Sequence, residues 1–357
     1  MRIVDVRVVP KRVRITVPYR IAGRYFDAAE IIFVVVRDET GVEGYGSCSP
    51  VAGLTGDDLE IATSALEKRI VPAVAGSDVT DLAAAVDRAA AATRESRSAL
   101  AAIDIALHDL HAKKAGVPLV KMLGGAKRRL VTSITIGIGD PDAMTESARK
   151  HVASGFRCLK IKIGEDPSSD LAALRKIRAA VGPGVTIRVD ANQGYTPDQA
   201  IRVARETEAL SIELIEQPVR LEDVAGMAKV TAASRVPIVA DEASKIAAHL
   251  PPLIEAKAAH GANIKLMKCG GILEGRRMDE ILRRAGWRAL VGCFDESRVS
   301  IAAAAHFSAA GATTEWIDLD GHFDLAEDPF SGGVDLANGE LILSEAPGLG
   351  VTLSGKI

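Results

Sequence analysis

From about residue 130 to residue 320 the chain repeats one unit: a short apolar run, a loop, and a stretch of helical spacing. The runs are LVTSITIG, RCLKIKIG, VTIRVD, IELIEQ, VPIVAD, ANIKLM, RALVGCF and TEWIDLD. Apolar runs separated by helical patterns belong to parallel strands covered on both faces. Eight of them over roughly 190 residues predict an α/β fold, a (β/α)8 TIM-like barrel slightly compact for its type.

The flanks read differently. The first 60 residues alternate as strands do, in RIVDVRVVPKRVRITV and EIIFVVVRDETGVEGYG, with turn chemistry at Asp38 to Gly41. Residues 58–93 are Ala-rich and helical. A stronger helix follows, with Leu100, Ile103, Leu107 and Leu110 on one stripe and a stop at Gly116 and Pro118. His108 and His111 on this helix are expected on a polar face rather than at a metal, because no partner ligand is near in sequence. The last 30 residues return to strand texture, with Asn338-Gly339 set as a hairpin turn. At 357 residues the chain exceeds one core. The expected architecture is a discontinuous α+β capping domain, 1–125 plus 325–357, on a barrel of 126–324.

The 44 basic and 47 acidic residues leave a formal charge of −3, which argues against a nucleic-acid partner. MRIVDVRVVP does not read as a charged-then-apolar leader, and no apolar stretch reaches membrane-spanning length. Cys48, Cys158, Cys269 and Cys293 show no zinc or redox spacing and read as buried thiols. A cytoplasmic enzyme without membrane attachment is expected, and a homo-oligomer.

Three consecutive runs carry a carboxylate at their end: Asp190 in VTIRVDANQG, Glu216 in SIELIEQP and Asp241 in VPIVADEA. The steps between them are 26 and 25 residues, about one strand-plus-helix unit each. A barrel therefore brings all three to the rim that carries active sites in this fold. Three hard oxygen donors suit Mg²⁺ better than Zn²⁺. Helix capping is the plain alternative. After Asp190 the cap is supplied by Thr196, with Pro197 opening the helix, and after Glu216 helical spacing resumes only near Glu222. At Asp241 capping stays open, by Asp241 or by Ser244.

Lys160 and Lys162 share one strand face, with Leu159, Ile161 and Ile163 on the other. A half-solvated strand explains this motif equally well, and the acid trio favours inward lysines. Positive neighbours and desolvation lower a lysine pKa from about 10.4 toward that of a general base. Lys265 lies within ANIKLM and Lys268 at its end. Three apart, the two cannot share a face of a regular strand, and Lys265 is the one expected inside. Asp318 and Asp320, in WIDLDG, share a face at the end of strand eight, though Asp320-Gly321 is equally a turn dipeptide. Gly270-Gly271 ahead of a helix invites a phosphate site, but a tight turn is the simpler role.

Lys160 and Lys162, the acids at 190, 216 and 241, and Lys265 together resemble the muconate lactonizing enzyme subgroup of the enolase superfamily. SALAAIDIALHDL, DANQGY, IEQP, ADE and NIKLMKCGG are also similar, so the resemblance covers nearly the whole chain. It implies a capping domain on a modified barrel, one Mg²⁺, and removal of a proton α to a carboxylate. Lys162 and Lys265 then serve opposite faces of the substrate, and Lys160 supports the enediolate. In similar dipeptide epimerases an Asp-x-Asp like Asp318 and Asp320 holds the α-ammonium of a dipeptide. A residue at the place of Thr135 contacts substrate there. Arg24, in the cap loop PYRIAGRYFD, matches an arginine that takes a glutamate side chain. Asp295 stands where an apolar residue is usual, which would favour a cationic side chain unless it pairs with Arg24. N-succinylamino acid racemase or o-succinylbenzoate synthase activity is the alternative within the family. A Schiff-base aldolase is the alternative outside it, and a non-catalytic binder on the same barrel a third.

Overall fold

The computed structural model describes every residue except 127 and 128. The eight runs form one sheet: Ile134–Ile136, Cys158–Lys162, Thr186–Asp190, Ile212–Glu216, Ile238–Ala240, Gly261–Ile264, Arg288–Gly292 and Thr314–Asp318, barrel strands one to eight. Consecutive strands pair in parallel. The sheet closes where Thr132 bridges Ile317 and the Ser133 N–H donates to the Ile317 carbonyl at 3.2 Å. Helical segments follow each of the first seven strands, and among the described residues none follows the eighth. The barrel is modified in that respect.

Period-two alternation sorts the interior into layers. Leu214, Val239, Leu290 and Trp316 make a small buried cluster. Each precedes by two residues a rim position: Glu216, Asp241, Gly292 and Asp318. The rule that floors the barrel with apolar side chains also aims the acids above that floor.

The cap is an antiparallel sheet of Ile3–Ile21, Arg24–Asp38 and Glu43–Cys48, followed by helices of which Arg97–Lys114 is the longest. That helix packs between the cap sheet and the barrel helix Ile272–Ala285, and is buried almost all round. Its histidines are therefore not on a polar face. His108 is buried with Nδ1 2.9 Å from Asp104 Oδ1, and the His111 ring meets the Val79 carbonyl. Asp104 also accepts from the Ile272 and Leu273 N–H groups at 2.9 and 3.1 Å. The helix N-terminus after Gly270-Gly271 is thus filled by a cap carboxylate, not a phosphate. Gly271 is required there: its φ is 112°, and a Cβ would stand 2.5 Å from Asp104 Cγ.

Three expectations need correction. LVTSITIG is two pieces: Leu130–Val131 pairs antiparallel with Glu340–Leu343, and only Ile134–Ile136 belongs to the barrel. Residues 18–27 are not a loop but the tip of the long hairpin formed by the first two cap strands. The 334–343 hairpin turns at Asn338 and Gly339, both with positive φ, but joins Leu130–Val131 rather than the N-terminal strands. The return to the cap is made at Phe330, whose ring packs on Phe33 and Tyr45, and at Leu349, whose N–H donates to Asp109 at 2.7 Å. The four cysteines are buried free thiols. Among the described residues no helix is long and apolar enough to cross a membrane.

Candidate active site

The strand ends and the cap hairpin enclose a cavity of about 660 Å³ lined by Lys160, Lys162, Lys265, Asp241, Asp318 and Asp320, among others. Its floor is an ion-pair cluster. Lys160, 2% exposed, sets its ammonium 2.7 Å from Glu216, 2.7 Å from Asp318 and 3.1 Å from Asp190. Lys162 Nζ lies 2.7 Å from Asp190 Oδ2, its partner in strand register. Lys265 comes directly after strand six, four strands away, with Nζ 3.0 Å from Asp241 Oδ2 and 4.6 Å from the centre of the Phe294 ring. Gly292 makes room for it, since a Cβ there would meet Asn263 at 2.8 Å and Lys265 Cε at 3.1 Å.

Lys268 shares this site, contrary to the strand argument. Strand six stops at Ile264, and Leu266–Cys269 is a single helical turn. Three residues on a helix return to the same side. Lys268 therefore pairs with Asp241 Oδ1 and donates to the Asp241 carbonyl at 2.8 Å. Asp241 caps no helix, while Thr196 does cap Pro197–Thr207.

Burial opposes charge on every group here, and the neighbours decide the balance. On Asp190 the lysines at 162 and 160 outweigh it and bring the carboxyl down to about 2. On Glu216, burial and the Asp190 charge raise it to about 7. Lys160 and Lys265 lose charge stability to burial but regain more from the carboxylates, and both are raised. That is opposite to the lowering expected of a neighbour-crowded lysine, because the carboxylates around them outweigh both burial and the neighbouring lysine charge.

Among the described residues no three His, Cys, Asp or Glu side chains converge tightly enough to hold a metal as they lie. The lysines hold the acids instead. The donor set nevertheless fits a hard divalent cation. Asp190 and Glu216 already share one cationic group, the Lys160 ammonium. Glu216 Oε2 is buried with no hydrogen bond aligned on it, while Oε1 accepts from Asn263 at 2.6 Å. Asp190, Glu216 and Asp241 would supply the oxygens.

The substrate end is partly as expected. Asp318 is committed, accepting from Lys160 and from Ser133 Oγ at 2.7 Å each. Asp320 takes the Thr135 N–H on Oδ2 at 2.7 Å, and Cys293 Sγ lies 3.7 Å from Oδ1. Asp295 lines the cavity and accepts from the Tyr19 hydroxyl at 2.8 Å. Burial, with the Asp320 and Asp324 charges adding, pushes Asp295 up to about 7. Arg24 is not among the lining residues; its guanidinium donates to the Ala52 carbonyl at 2.6 Å, and Asp295 pairs with Tyr19 rather than with it. Sequence reasoning missed Asn192, Glu242, Asn263, Tyr19 and Ser133. Asn263 could have been found, standing two before Lys265 on the same inward face.

A capped barrel with opposed lysines and an acid cluster at its rim defines a class of enzymes that move protons next to carboxylates. Residues 143–357 match the enolase C-terminal domain-like family, and residues 3–124 match the mandelate racemase / muconate lactonizing enzyme N-terminal domain. The chain belongs to the mandelate racemase and muconate lactonizing enzyme group of the enolase superfamily. It is 40% identical to the L-Lys-D/L-Arg epimerase of Methylococcus capsulatus, over 98% of this chain and 99% of that one. It superposes with TM-score 0.96 at 34% identity on a substrate-liganded L-Ala-D/L-Glu epimerase from Bacillus subtilis, covering 98% and 99% of the two chains. A dipeptide epimerase from Enterococcus faecalis complexed with Mg and L-Leu-L-Tyr gives TM-score 0.95 at 35% identity, covering 99% and 100%.

Proposed function

We propose that this protein is a Mg²⁺-dependent isomerase that epimerises free dipeptides. The observation that carries it is the placement of Lys162 at the end of strand two and Lys265 just past strand six, each paired with a different carboxylate of the acid cluster. The bound metal would supply Lewis-acid stabilisation of the substrate carboxylate and of the enediolate formed from it. Lys162 removes or returns the α-proton on one face, and Lys265 does so on the other. Lys160, buried among three carboxylates, adds positive charge where the enediolate develops. Asp320, backed by Asp318, receives the α-ammonium through charge-assisted hydrogen bonds. That pair also favours dipeptides over N-succinylated amino acids, which carry no ammonium. A Schiff-base aldolase, whose reaction needs no metal, would have no use for the buried acid cluster that these lysines meet.

The three relatives act on or bind different side chains, so membership alone does not fix the substrate. Arg24 turned onto Ala52 supports no acidic side chain, whereas Asp295 supports a basic one near the N-terminal residue. The reading is a preference for dipeptides bearing Lys or Arg. Its test is a library of free dipeptides and N-acylated amino acids incubated with enzyme and Mg²⁺ in D₂O and read by mass for α-deuterium, with the greatest uptake expected in dipeptides bearing Lys or Arg. Uptake confined to N-acylated amino acids would replace the dipeptide reading.

A further inference from the structure

We propose that Glu242, acting through Asn192, is a positioning residue for the Lys162 amine; this rests on the two-base reading above. Asn192 follows Asp190 by two residues, and its own N–H donates to Asp190 Oδ1 at 3.0 Å. Its side-chain oxygen accepts from Lys162 Nζ at 3.3 Å, and its amide nitrogen donates to Glu242 Oε1 at 3.2 Å. Both Asn192 and Glu242 line the cavity. Glu242 is 3% exposed, and its other oxygen has no hydrogen-bond partner among the described residues.

The chemistry of the three groups fixes the direction of the chain. A lysine ammonium only donates and an ionised carboxylate only accepts, while an amide does both at opposite ends. Asn192 can satisfy the two neighbours in one orientation alone, oxygen toward Lys162 and nitrogen toward Glu242. Glu242 thereby locks the amide, and the amide with Asp190 sets where the Lys162 nitrogen points. Without the carboxylate the amide is free to turn and present N–H groups to the base. Among the described residues no amide side chain bonds Lys265; it pairs with Asp241, lies over the Phe294 ring and meets Glu242 only as a nearby charge. A positioning role through Asn192 must therefore act on one face of the substrate only. A role through Asp241, next in sequence to Glu242, would disturb the metal ligands and both faces together.

The test is Glu242→Gln, which keeps the shape but can donate as well as accept. Deuterium uptake at the α-carbon is measured for each epimer of an active dipeptide. The Lys162→Ala and Lys265→Ala enzymes identify which epimer each lysine deprotonates. Exchange assigned to Lys162 is expected to fall about tenfold to a hundredfold, as misplacement of a reacting group does. Exchange assigned to Lys265, which meets Glu242 only as a charge, is expected to fall clearly less than that assigned to Lys162, with Mg²⁺ affinity by calorimetry unchanged. Asn192→Ala, which removes the bridge but leaves the carboxylate, is expected to give the same one-sided loss and serves should Glu242→Gln fold poorly. Equal loss on both faces, weakened Mg²⁺ binding, or no loss in either variant overturns the proposal. A wild-type enzyme that exchanges neither epimer of any dipeptide overturns the epimerase reading, and this one with it.

Discussion

Two residues at the substrate end carry separable roles. Asp320 binds the Thr135 N–H on Oδ2 and only a weak thiol donor, Cys293, on Oδ1, and a charge-assisted hydrogen bond there contributes about 1.5–3 kcal/mol. Asp320→Asn is expected to weaken kcat/KM for free dipeptides by about one to two decades, while N-acetyl dipeptides, poor substrates throughout, change little. Equal losses for both classes would assign Asp320 to the turn alone. Asp295 is tested by pH. Its carboxyl sits at about 7, so the free enzyme gains the negative charge as pH rises through that value. For a Lys- or Arg-bearing dipeptide, kcat/KM should climb across pH 6–8, a rise absent for a neutral dipeptide and in Asp295→Asn. A profile for the basic dipeptide that Asp295→Asn leaves unaltered would remove the residue from substrate recognition.

At the scale of elements, the turn at Gly271 joins cap to barrel. Gly271→Ala combines a positive φ with a Cβ 2.5 Å from Asp104 Cγ, and should lower stability by about 1–3 kcal/mol in urea unfolding. An unchanged midpoint would mean that the Asp104 cap is dispensable. The barrel was legible in the sequence because buried parallel strands are apolar runs of fixed length, and two-residue alternation aimed Lys160 and Lys162 inward together. Lys268 was not legible as a partner of Asp241. Nothing local says that strand six stops at Ile264 and coils, and only the coil brings Lys268 round. His108 misled for a related reason: helical spacing shows which side is apolar, not that a cap and a barrel bury both sides. Arg24 is a third instance. Its likeness to a ligand-binding arginine rests on its place in the chain, while its side chain turns onto the Ala52 carbonyl.

For the whole molecule, the cap and the barrel share one hydrophobic cluster that runs from Ile31 and Phe33 through the helix Arg97–Lys114 to Ile264 and Val291. His306 helps tie this joint, its Nδ1 accepting from the Val120 N–H at 3.1 Å. Burial pushes its pKa down to about 4, against about 6.5 unfolded. Between those values the unfolded chain binds the extra proton, so this contribution is complete above pH 6.5 and is lost as pH falls toward 4. Wild-type stability should therefore decline across that window more steeply than that of His306→Gln. Parallel curves from thermal melts would show that His306 does not set it.

The central claim, that one dipeptide is worked from two faces by two lysines, is tested most directly by α-deuterium uptake in the Lys162→Ala and Lys265→Ala enzymes with Mg²⁺ present. Neither variant should epimerise, and each should still exchange the α-proton of one epimer, a different one in each case. Exchange of the same epimer by both variants, or epimerisation surviving in either, would contradict it.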